Sequence, residues 1–442
     1  MLKFAGPASQ EIPIPEIAIR DAVFPAPFAS GLEYSPPARG MWNIVHTGML
    51  IPESHQIFIC ARGCLRGVIL TAAEMNAMDR MSWTAIDEQD FLGNGLETAV
   101  VEGCTHILQK MKNPPRCVLV FFSCVQLFAG VDIPLLMAEL RQRFPDMDFI
   151  DCYMHPTMRK SGLTPDQKMR VQLYDALRPC PARNRTAALI GNDLATDPAS
   201  DMMQIFRAQN WEVRDIALCK DYAAYQRLAE SSLLLTTYPA ARPAGEALAA
   251  KLERKHLYLP VSYTAEEIRG NLRRLTDALA CPEPDLTTLE NNAAQALAET
   301  KKEIGNTPVS IDYTATPRPL SLARVLTEHG FQVNHIYLDA MIPEEEPHFR
   351  WLQKHCPDLK LKPTVHPAMR FAPLAQPILA IGQKAAYFDQ TPHFVNMIEG
   401  GGLYGFRGLA ELAAWMRQAF REEKNIEQTV RRKGLGCESC LL

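Results

Sequence analysis

The chain has 442 residues, more than one ordinary hydrophobic core accommodates, and this length favours about three domains. It is 47% hydrophobic and 22% charged, and 46 Lys and Arg against 50 Asp and Glu leave a net charge of -4. This composition indicates a globular protein and argues against a basic nucleic-acid-binding surface. Because proline interrupts residues 1–20 and no long apolar segment occurs there, we expect no signal peptide, no membrane anchor and a cytoplasmic location.

Regular structure is expected to begin after residue 40. Residues 1–40 are rich in proline and predict an extended N-terminal arm over a surface or partner. After the arm, apolar runs alternate with amphipathic stretches. The pattern predicts strands at 56–60 and 117–123 and helices at 96–111 and 133–144. Such alternation is typical of a parallel sheet flanked by helices.

The same alternation begins twice more along the chain. The second round comprises elements at 186–191, 199–210, 212–218, 223–229 and 233–237, and the third those at 309–313, 320–329, 332–338, 347–355 and 378–382. These weak internal repeats predict an α/β fold of three Rossmann-like lobes with parallel sheets flanked by helices. The expected divisions are the arm at 1–40, lobes at 41–180, 181–300 and 301–425, and a C-terminal tail at 426–442.

Nucleotide-binding motifs are missing from the sequence. No GxxxxGK[ST] segment occurs, so the chain is not expected to hold nucleotide phosphates through a P-loop. No GxGxxG follows a predicted strand, and the glycines of GGGLYGFRG at 400–408 have a different spacing. The sequence therefore disfavours redox chemistry with a nucleotide cofactor bound to this chain.

Three of the twelve cysteines follow predicted strands. Cys60 and Cys64 lie at the end of the first strand, in IFICARGCLRGV, and Cys124 follows the strand VLVFFS. Because the carboxyl ends of neighbouring parallel strands meet at one edge of a sheet, the three thiols are expected to lie together there. Soft thiolates at such an edge select iron–sulfur clusters or zinc. Spacing alone leaves open that Cys60 completes a buried strand and the other two pack under loops.

Other polar residues flank the strands of the first lobe. His46 and His55 precede the first strand or lie at its start, and they are candidates for proton donors or for partners of metal ligands. Asp151, His155 and Arg159 are expected in a polar loop after the strand DFIDCYM. For these three residues a functional role and simple loop capping both stay open.

Three motifs give the chain a resemblance to a known family over residues 40–420. CARGC at 60–64 resembles the G-x-x-G-C turn that carries a cluster cysteine in component 1 subunits of the nitrogenase superfamily, with Cys64 at that position. WTAIDEQDFLGNGLETAV at 83–100 resembles the next segment of the family, a threonine- or glutamate-rich stretch that closes on an acidic residue before a helix. FFSCVQLFAGVD resembles the motif of the second cluster cysteine, with Cys124 at that position.

The chain also departs from the family pattern. ARGMWN at 38–43 contains no cysteine where the family has a further cluster ligand, and Cys60 is the candidate replacement. Thr237 and Tyr404 stand where the family has the cysteine and the histidine that hold the iron–molybdenum cofactor. The resemblance therefore implies neither this cofactor nor reduction of N2.

Two further groups remain as candidates. Glu399, Tyr404 and Arg407 occupy the segment that resembles the family's cofactor region in the third lobe, and they are candidates to line a substrate pocket. Cys437 and Cys440 form a C-x2-C pair near the end of the sequence, for which metal binding, redox cycling and an unstructured terminus all stay open.

The resemblance implies one subunit of a two-component, ATP-dependent oxidoreductase. Cys60, Cys64 and Cys124 would hold an iron–sulfur cluster, [4Fe-4S] or larger, shared with a partner subunit in a homodimer or in a heterodimer with a paralogous component 1 subunit. A separate P-loop iron protein would supply electrons for reduction of an unidentified small molecule. The alternatives are a non-catalytic scaffold for cluster assembly and a metal-free protein that binds small molecules.

Overall fold

The computed structural model describes residues 14–36, 44–93, 95–154 and 162–431. The described residues form two compact units. Of the described residues, the N-terminal unit contains those within Met41–Pro260 and Arg274–Pro282, and the C-terminal unit those within Met1–Gly40, Val261–Arg273 and Glu283–Arg432. Each unit is described below by itself.

The first sheet of the N-terminal unit contains four parallel strands in the order β3-β2-β4-β5. The strands are β2 (Ser54–Ala61), β3 (Met81–Ile86), β4 (Cys117–Ser123) and β5 (Asp148–Met154). The helices that accompany them are α1 (Ile44–Gly48), α2 (Arg62–Glu74), α3 (Gly95–Lys110), α4 (Cys124–Phe128), α5 (Ile133–Arg143) and α6 (Pro165–Gln172).

The central strand of the first sheet shows why these residues form a parallel sheet. All seven residues of β4, CVLVFFS, are buried, as expected for a strand covered by helices on both faces. On its surface Phe121 stacks on Phe58 of β2, with ring centroids 4.3 Å apart. The following helix α5 begins where Asp132 accepts a hydrogen bond from the amide of Leu135.

The second sheet belongs to the same unit and also has four parallel strands, in the order β7-β6-β8-β9. Its strands are β6 (Arg183–Leu189), β7 (Glu212–Asp215), β8 (Ser231–Thr236) and β9 (Lys255–Tyr258). The helices of this region are α7 (Asp201–Ala208), α8 (Tyr222–Gln226) and α9 (Arg242–Leu252).

The third sheet lies in the C-terminal unit and has the order β1-β12-β11-β10-β13-β14. Its strands are β1 (Ile17–Ala18), β10 (Pro308–Asp312), β11 (Gln332–Tyr337), β12 (Lys360–Lys362), β13 (Leu379–Ile381) and β14 (Phe394–Val395). All pairings are parallel except that of β1, which is antiparallel to β12. The remaining helices are α10 (Ala265–Leu279), α11 (Leu286–Ile304), α12 (Pro319–Glu328), α13 (Glu346–His355), α14 (Gln383–Asp389) and α15 (Gly405–Arg421).

The predicted fold class is confirmed, because three sheets of parallel strands are flanked by helices. The proposed boundaries of the lobes stay a prediction. The strand β3 and the helix α2 are among the elements that the sequence analysis did not predict. In β3 only the two end residues are buried, and α2 begins directly after β2 without a capping side chain at Ala61. In the described part of the chain, the helices all lack the length and apolarity needed to cross a bilayer.

Candidate functional site

Cys60, Cys64 and Cys124 lie at the carboxyl ends of β2 and β4, and we call this region the cysteine edge. β2 and β4 are neighbours and run parallel, with Ile59 opposite Phe122, so both strands end at the same side of the sheet. Cys60 is the fully buried penultimate residue of β2, Cys64 is exposed in the first turn of α2, and Cys124 begins α4. The role of the three cysteines as cluster ligands stays a prediction.

The thiols of the cysteine edge influence one another electrostatically. Burial, together with the neighbouring Cys64 and Cys124, raises the pKa of Cys60 to about 12. Burial and the nearby Cys124 also raise the pKa of Cys64. Adjacent thiolates repel each other, so without a compensating cation Cys60 and Cys64 hold their protons at neutral pH. A bound metal centre reverses this preference because its charge stabilises the thiolates.

A buried glutamine holds the two strands of the cysteine edge together. The side-chain amide of Gln126 donates to the carbonyl of Ile59 at 3.1 Å. Its oxygen accepts from the amide and the hydroxyl of Ser123, at 2.9 and 2.8 Å. Gln126 therefore links the start of α4, which carries Cys124, to the residue before Cys60. Sequence reasoning missed Gln126, although the S-x-x-Q spacing after an apolar run is a helix-capping signal.

The thiols of the cysteine edge have the donor chemistry that an iron–sulfur cluster takes. Within the described ranges, no three His, Cys, Asp or Glu residues are grouped so that they could hold one metal ion. A cluster distributes its cysteine ligands over several iron atoms, and soft thiolates are the ligands it takes. Cys60, Cys64 and Cys124 are free thiols of this kind, and a four-cysteine cluster needs one ligand more.

Four exposed apolar side chains lie in segments that follow β3 and β4, at the carboxyl end of the first sheet. Leu127 and Phe128 on α4 are 49% and 74% exposed, just beyond Cys124. Phe91 and Leu92, in the turn that follows β3, are 56% and 75% exposed. Large apolar side chains concentrated in this way typically mark a surface that another macromolecule covers.

His55 is not at the cysteine edge, which corrects its expected role as a proton donor there. It is the second residue of β2, at the opposite end of the strand from Cys60, and five residues of strand span roughly 16 Å. Its Nε2 is hydrogen-bonded to the hydroxyl of Ser82 at 2.8 Å. Burial and the nearby Arg80 lower the pKa of His55 to about 4, against the opposing effect of Asp79.

The other candidates of the first lobe are also distant from that edge or undescribed. His46 lies in α1. The carbonyl of its neighbour Val45 accepts a hydrogen bond from the side-chain amide of Gln56, near the start of β2. Asp151 lies inside β5 and accepts a hydrogen bond from the hydroxyl of Tyr153 at 2.7 Å, so it is not a loop residue. His155, Arg159, Cys437 and Cys440 lie outside the described residues.

The remaining candidate residues are divided between the two units. Thr237, in the N-terminal unit, is buried after β8 and donates its hydroxyl to the side-chain oxygen of Asn192 at 3.1 Å. In the C-terminal unit Tyr404 is buried directly before α15, and Arg407 is exposed on that helix. The amide of Glu399 donates to the Thr314 carbonyl at 2.9 Å, in the loop that leads to Tyr404.

A buried polar cluster at the carboxyl edge of the third sheet was not identified from the sequence. Asp312 and Tyr313, Asp339, Thr364 and Lys384 lie at or just after the ends of β10, β11, β12 and β13. The amine of Lys384, fully buried, donates to the hydroxyls of Tyr313 at 2.7 Å and of Thr364 at 3.3 Å. Burial lowers the pKa of Lys384 to about 8, although Asp339 and Asp312 act in the opposite direction. This amine can therefore exchange its proton near neutral pH.

Comparisons with known proteins agree with this architecture. A family model described as nitrogenase component 1 type oxidoreductase matches residues 45–421. The solved structure "Nitrogenase Cp1 at pH 6.5" is 13% identical, with a TM-score of 0.65 over 89% of this chain and 94% of that chain. For "Nitrogenase Cp1 at pH 5" the identity is also 13%, the coverage is 91% and 93%, and the TM-score is 0.56. No curated protein matches the chain.

Proposed function

Because this chain belongs to the nitrogenase component 1 type oxidoreductases, we propose that it is one subunit of a two-component, ATP-dependent reductase. It accepts electrons from a separate P-loop iron protein and reduces an unidentified small molecule other than N2. The chain itself has no P-loop sequence, which agrees with nucleotide hydrolysis in a partner protein.

The observation that carries the proposal is the grouping of three cysteine thiols at one edge of the first sheet. Cys60, Cys64 and Cys124 supply the thiolates for an iron–sulfur cluster, which takes up and passes on single electrons when bound. Gln126 keeps the ends of β2 and β4 in register, so the ligands on the two strands are preorganised. Binding of iron requires loss of the thiol protons, so it releases protons to solvent.

A partner subunit completes the site in this proposal. The chain supplies three thiolates, whereas a four-cysteine cluster needs a further ligand. The exposed Leu127 and Phe128, next to Cys124, give a neighbouring subunit an apolar surface to cover. The partner is either a second copy of this chain or a paralogous component 1 subunit.

The substitutions at the cofactor positions argue against dinitrogen as the substrate. Thr237 and Tyr404 are neither thiolate nor imidazole, and they are poor ligands for a metal–sulfur cofactor compared with cysteine and histidine. The side chain of Thr237 is already used in a hydrogen bond to Asn192. We therefore infer that no iron–molybdenum cofactor is held at these two residues.

Iron content tests the proposal directly. The protein should be purified without oxygen together with its partner and analysed for iron, for acid-labile sulfide and for its electron paramagnetic resonance spectrum after reduction. We expect several iron atoms per chain, and loss of most of them when Cys60, Cys64 and Cys124 are all replaced by serine. Cys356→Ser is the matched control, because Cys356 lies after α13 in the other unit. Absence of iron, or unchanged iron in the triple variant, would contradict the proposal.

A second candidate function is a non-catalytic scaffold on which a cluster is assembled before transfer. The same three thiols and the same exposed surface support it, so iron content does not separate the two functions. Turnover does, because a reductase consumes electrons and ATP catalytically with its iron protein, whereas a scaffold loses its cluster to an acceptor protein. Loss of iron to an acceptor without substrate turnover would favour the scaffold.

A further inference from the structure

The N-terminal unit contains a cavity at the opposite end of the first sheet from the cysteine edge. Its volume is about 810 Å³, within the range of pockets that hold small organic ligands. The walls come from Ser54 and His55 at the start of β2, from Arg80 just before β3 and from residues 113–115 before β4. Four residues after β7 complete them: Ile216, Ala217, Cys219 and Lys220. The cavity therefore lies between the amino end of the first sheet and the carboxyl end of a strand in the second.

Arg80 is a cation of the cavity lining whose hydrogen bonds go to uncharged groups. Its nitrogens donate to the carbonyls of Met49, Ile51 and Ser54 and to the Ser54 hydroxyl, at 2.6 to 3.2 Å. These bonds use four of the five N–H groups of a guanidinium. Among the described residues, no carboxylate forms an ion pair with Arg80, although the nearby Asp79 stabilises its charge. The neutral carbonyls orient Arg80 and leave one N–H of its guanidinium for a ligand, while Asp79 offsets part of its positive charge.

The rest of the lining gives the cavity an excess of positive charge. Lys112 and Lys220 are exposed on its wall and add to the charge of Arg80. The acidic residues of the lining are Glu53 and Asp79, and a carboxylate oxygen of Glu53 already accepts from the Tyr222 amide at 2.7 Å. The lining therefore contains three cationic side chains and two carboxylates.

The cavity also has an apolar wall and uncharged polar groups. Met49, Leu50, Met111 and Ile216 supply the apolar part. His55 lines the cavity as a neutral imidazole, since its pKa of about 4 leaves it uncharged at neutral pH. Such a lining suits a ligand that combines an anionic head with an apolar body.

We propose that this cavity binds a small organic anion, whose carboxylate or phosphate group is held by Arg80 and flanked by Lys112 and Lys220. The apolar body of the ligand lies against Met49 and Ile216. A cavity of about 810 Å³ accommodates more than a bare oxyanion, and its apolar wall favours an organic ligand. This site is separate from the cysteine edge, and its occupancy does not depend on iron.

Calorimetric titration of the full-length protein, purified without oxygen, tests the proposal with four probes. Phenyl phosphate and benzoate carry the two possible head groups on an aromatic ring, benzyl alcohol lacks the charge, and inorganic phosphate lacks the apolar body. We expect one of the two aromatic anions to bind once per chain, ~10-fold or more tightly than benzyl alcohol and inorganic phosphate, and more weakly as salt is added. The tighter of the two anions identifies the head group as phosphate or carboxylate.

Variants locate the binding in the cavity. Ala217→Trp fills the cavity and should weaken binding by ~10-fold or more, whereas Leu218→Trp, at the exposed next residue, should leave it unchanged. Lys220→Ala should weaken binding by up to ~5-fold, as expected for one exposed charge. Arg80 itself is unsuitable for the test because it also holds the loop at 49–54. If neither anion binds, or if Ala217→Trp binds as well as Leu218→Trp, the proposal is wrong.

Discussion

Replacement of Glu345 by alanine should destabilise the C-terminal unit by an amount that the structure allows us to estimate. Glu345 and Arg318 are each 1% exposed, and the Nε of Arg318 lies 2.9 Å from a carboxylate oxygen of Glu345. The same carboxylate accepts from the amide of Leu320 at 2.5 Å and from that of Ser321 at 3.3 Å, at the start of α12. Glu345→Ala therefore removes both the counter-ion of a buried cation and the acceptor of two helix N-terminal amides.

The expected loss of stability follows from the charge of Arg318, which stays buried when Glu345 is removed. Breaking a buried ion pair by removing one partner costs about 3–5 kcal/mol, because the other charge stays in a medium of low polarity. Arg318 keeps a second partner, since its terminal nitrogen lies 2.6 Å from a carboxylate oxygen of Glu267. This remaining contact favours the lower end of the range, and we expect a loss of about 3 kcal/mol in the free energy of unfolding.

Urea denaturation followed by far-ultraviolet circular dichroism measures this loss. With a slope of about 3 kcal/mol per molar urea, the midpoint should fall by roughly 1 M. Glu346→Ala is the matched control, because Glu346 pairs with Arg350 at 3.4 Å and these side chains are 52% and 60% exposed. An exposed pair of this kind contributes about 0.5 kcal/mol or less. Equal midpoints for Glu345→Ala and Glu346→Ala would refute the reasoning.

Three further predictions use the same denaturation assay. The pKa of Glu267 is lowered to about 2, because the hydrogen bonds and charges of its cationic partners outweigh the effect of burial. Glu267→Gln should therefore reduce stability above pH 4.5, by roughly 2 kcal/mol, and a difference that persists as the pH falls to 2 would contradict this. The lowered pKa of Lys384 means that its charged form destabilises the fold below pH 8 and that this cost disappears towards pH 10.5. The stability of the wild type relative to Lys384→Met should thus rise by ~2–3 kcal/mol between pH 7.5 and 10.5, and a flat profile would contradict this. Gly382 has φ of +111°, and an added methyl group would meet the carboxylate of Asp312. Gly382→Ala should destabilise by about 1–3 kcal/mol, whereas Gly67→Ala, in open space on α2, should stabilise by about 0.5–1 kcal/mol. Equal effects of the two glycine substitutions would show that backbone strain is not decisive at Gly382.

The amino-acid sequence by itself determined several strands of the three sheets, the fold class and the expected position of the cysteine edge. An apolar run such as CVLVFFS specifies a buried strand by its composition alone, and the structure has β4 at the same residues. Cys124 comes directly after this run, and Cys60 is the last residue of QIFIC. The sequence therefore indicated that both cysteines lie at the ends of strands. These features are local, because the burial pattern of a strand and the place where it ends depend on residues that are neighbours in the sequence.

Tertiary structure alone decided which distant side chains meet. The contact between Gln126 and the Ile59 carbonyl joins residues 67 positions apart, and that between Arg318 and Glu267 joins residues 51 positions apart. The sequence also suggested His55 as a neighbour of the thiols, whereas the direction of β2 puts it at the far end of the sheet. Strand order and register bring such residues together, and neither is encoded in a local pattern. The cavity beside Arg80 depends in the same way on loops from two sheets, so no single segment could have revealed it.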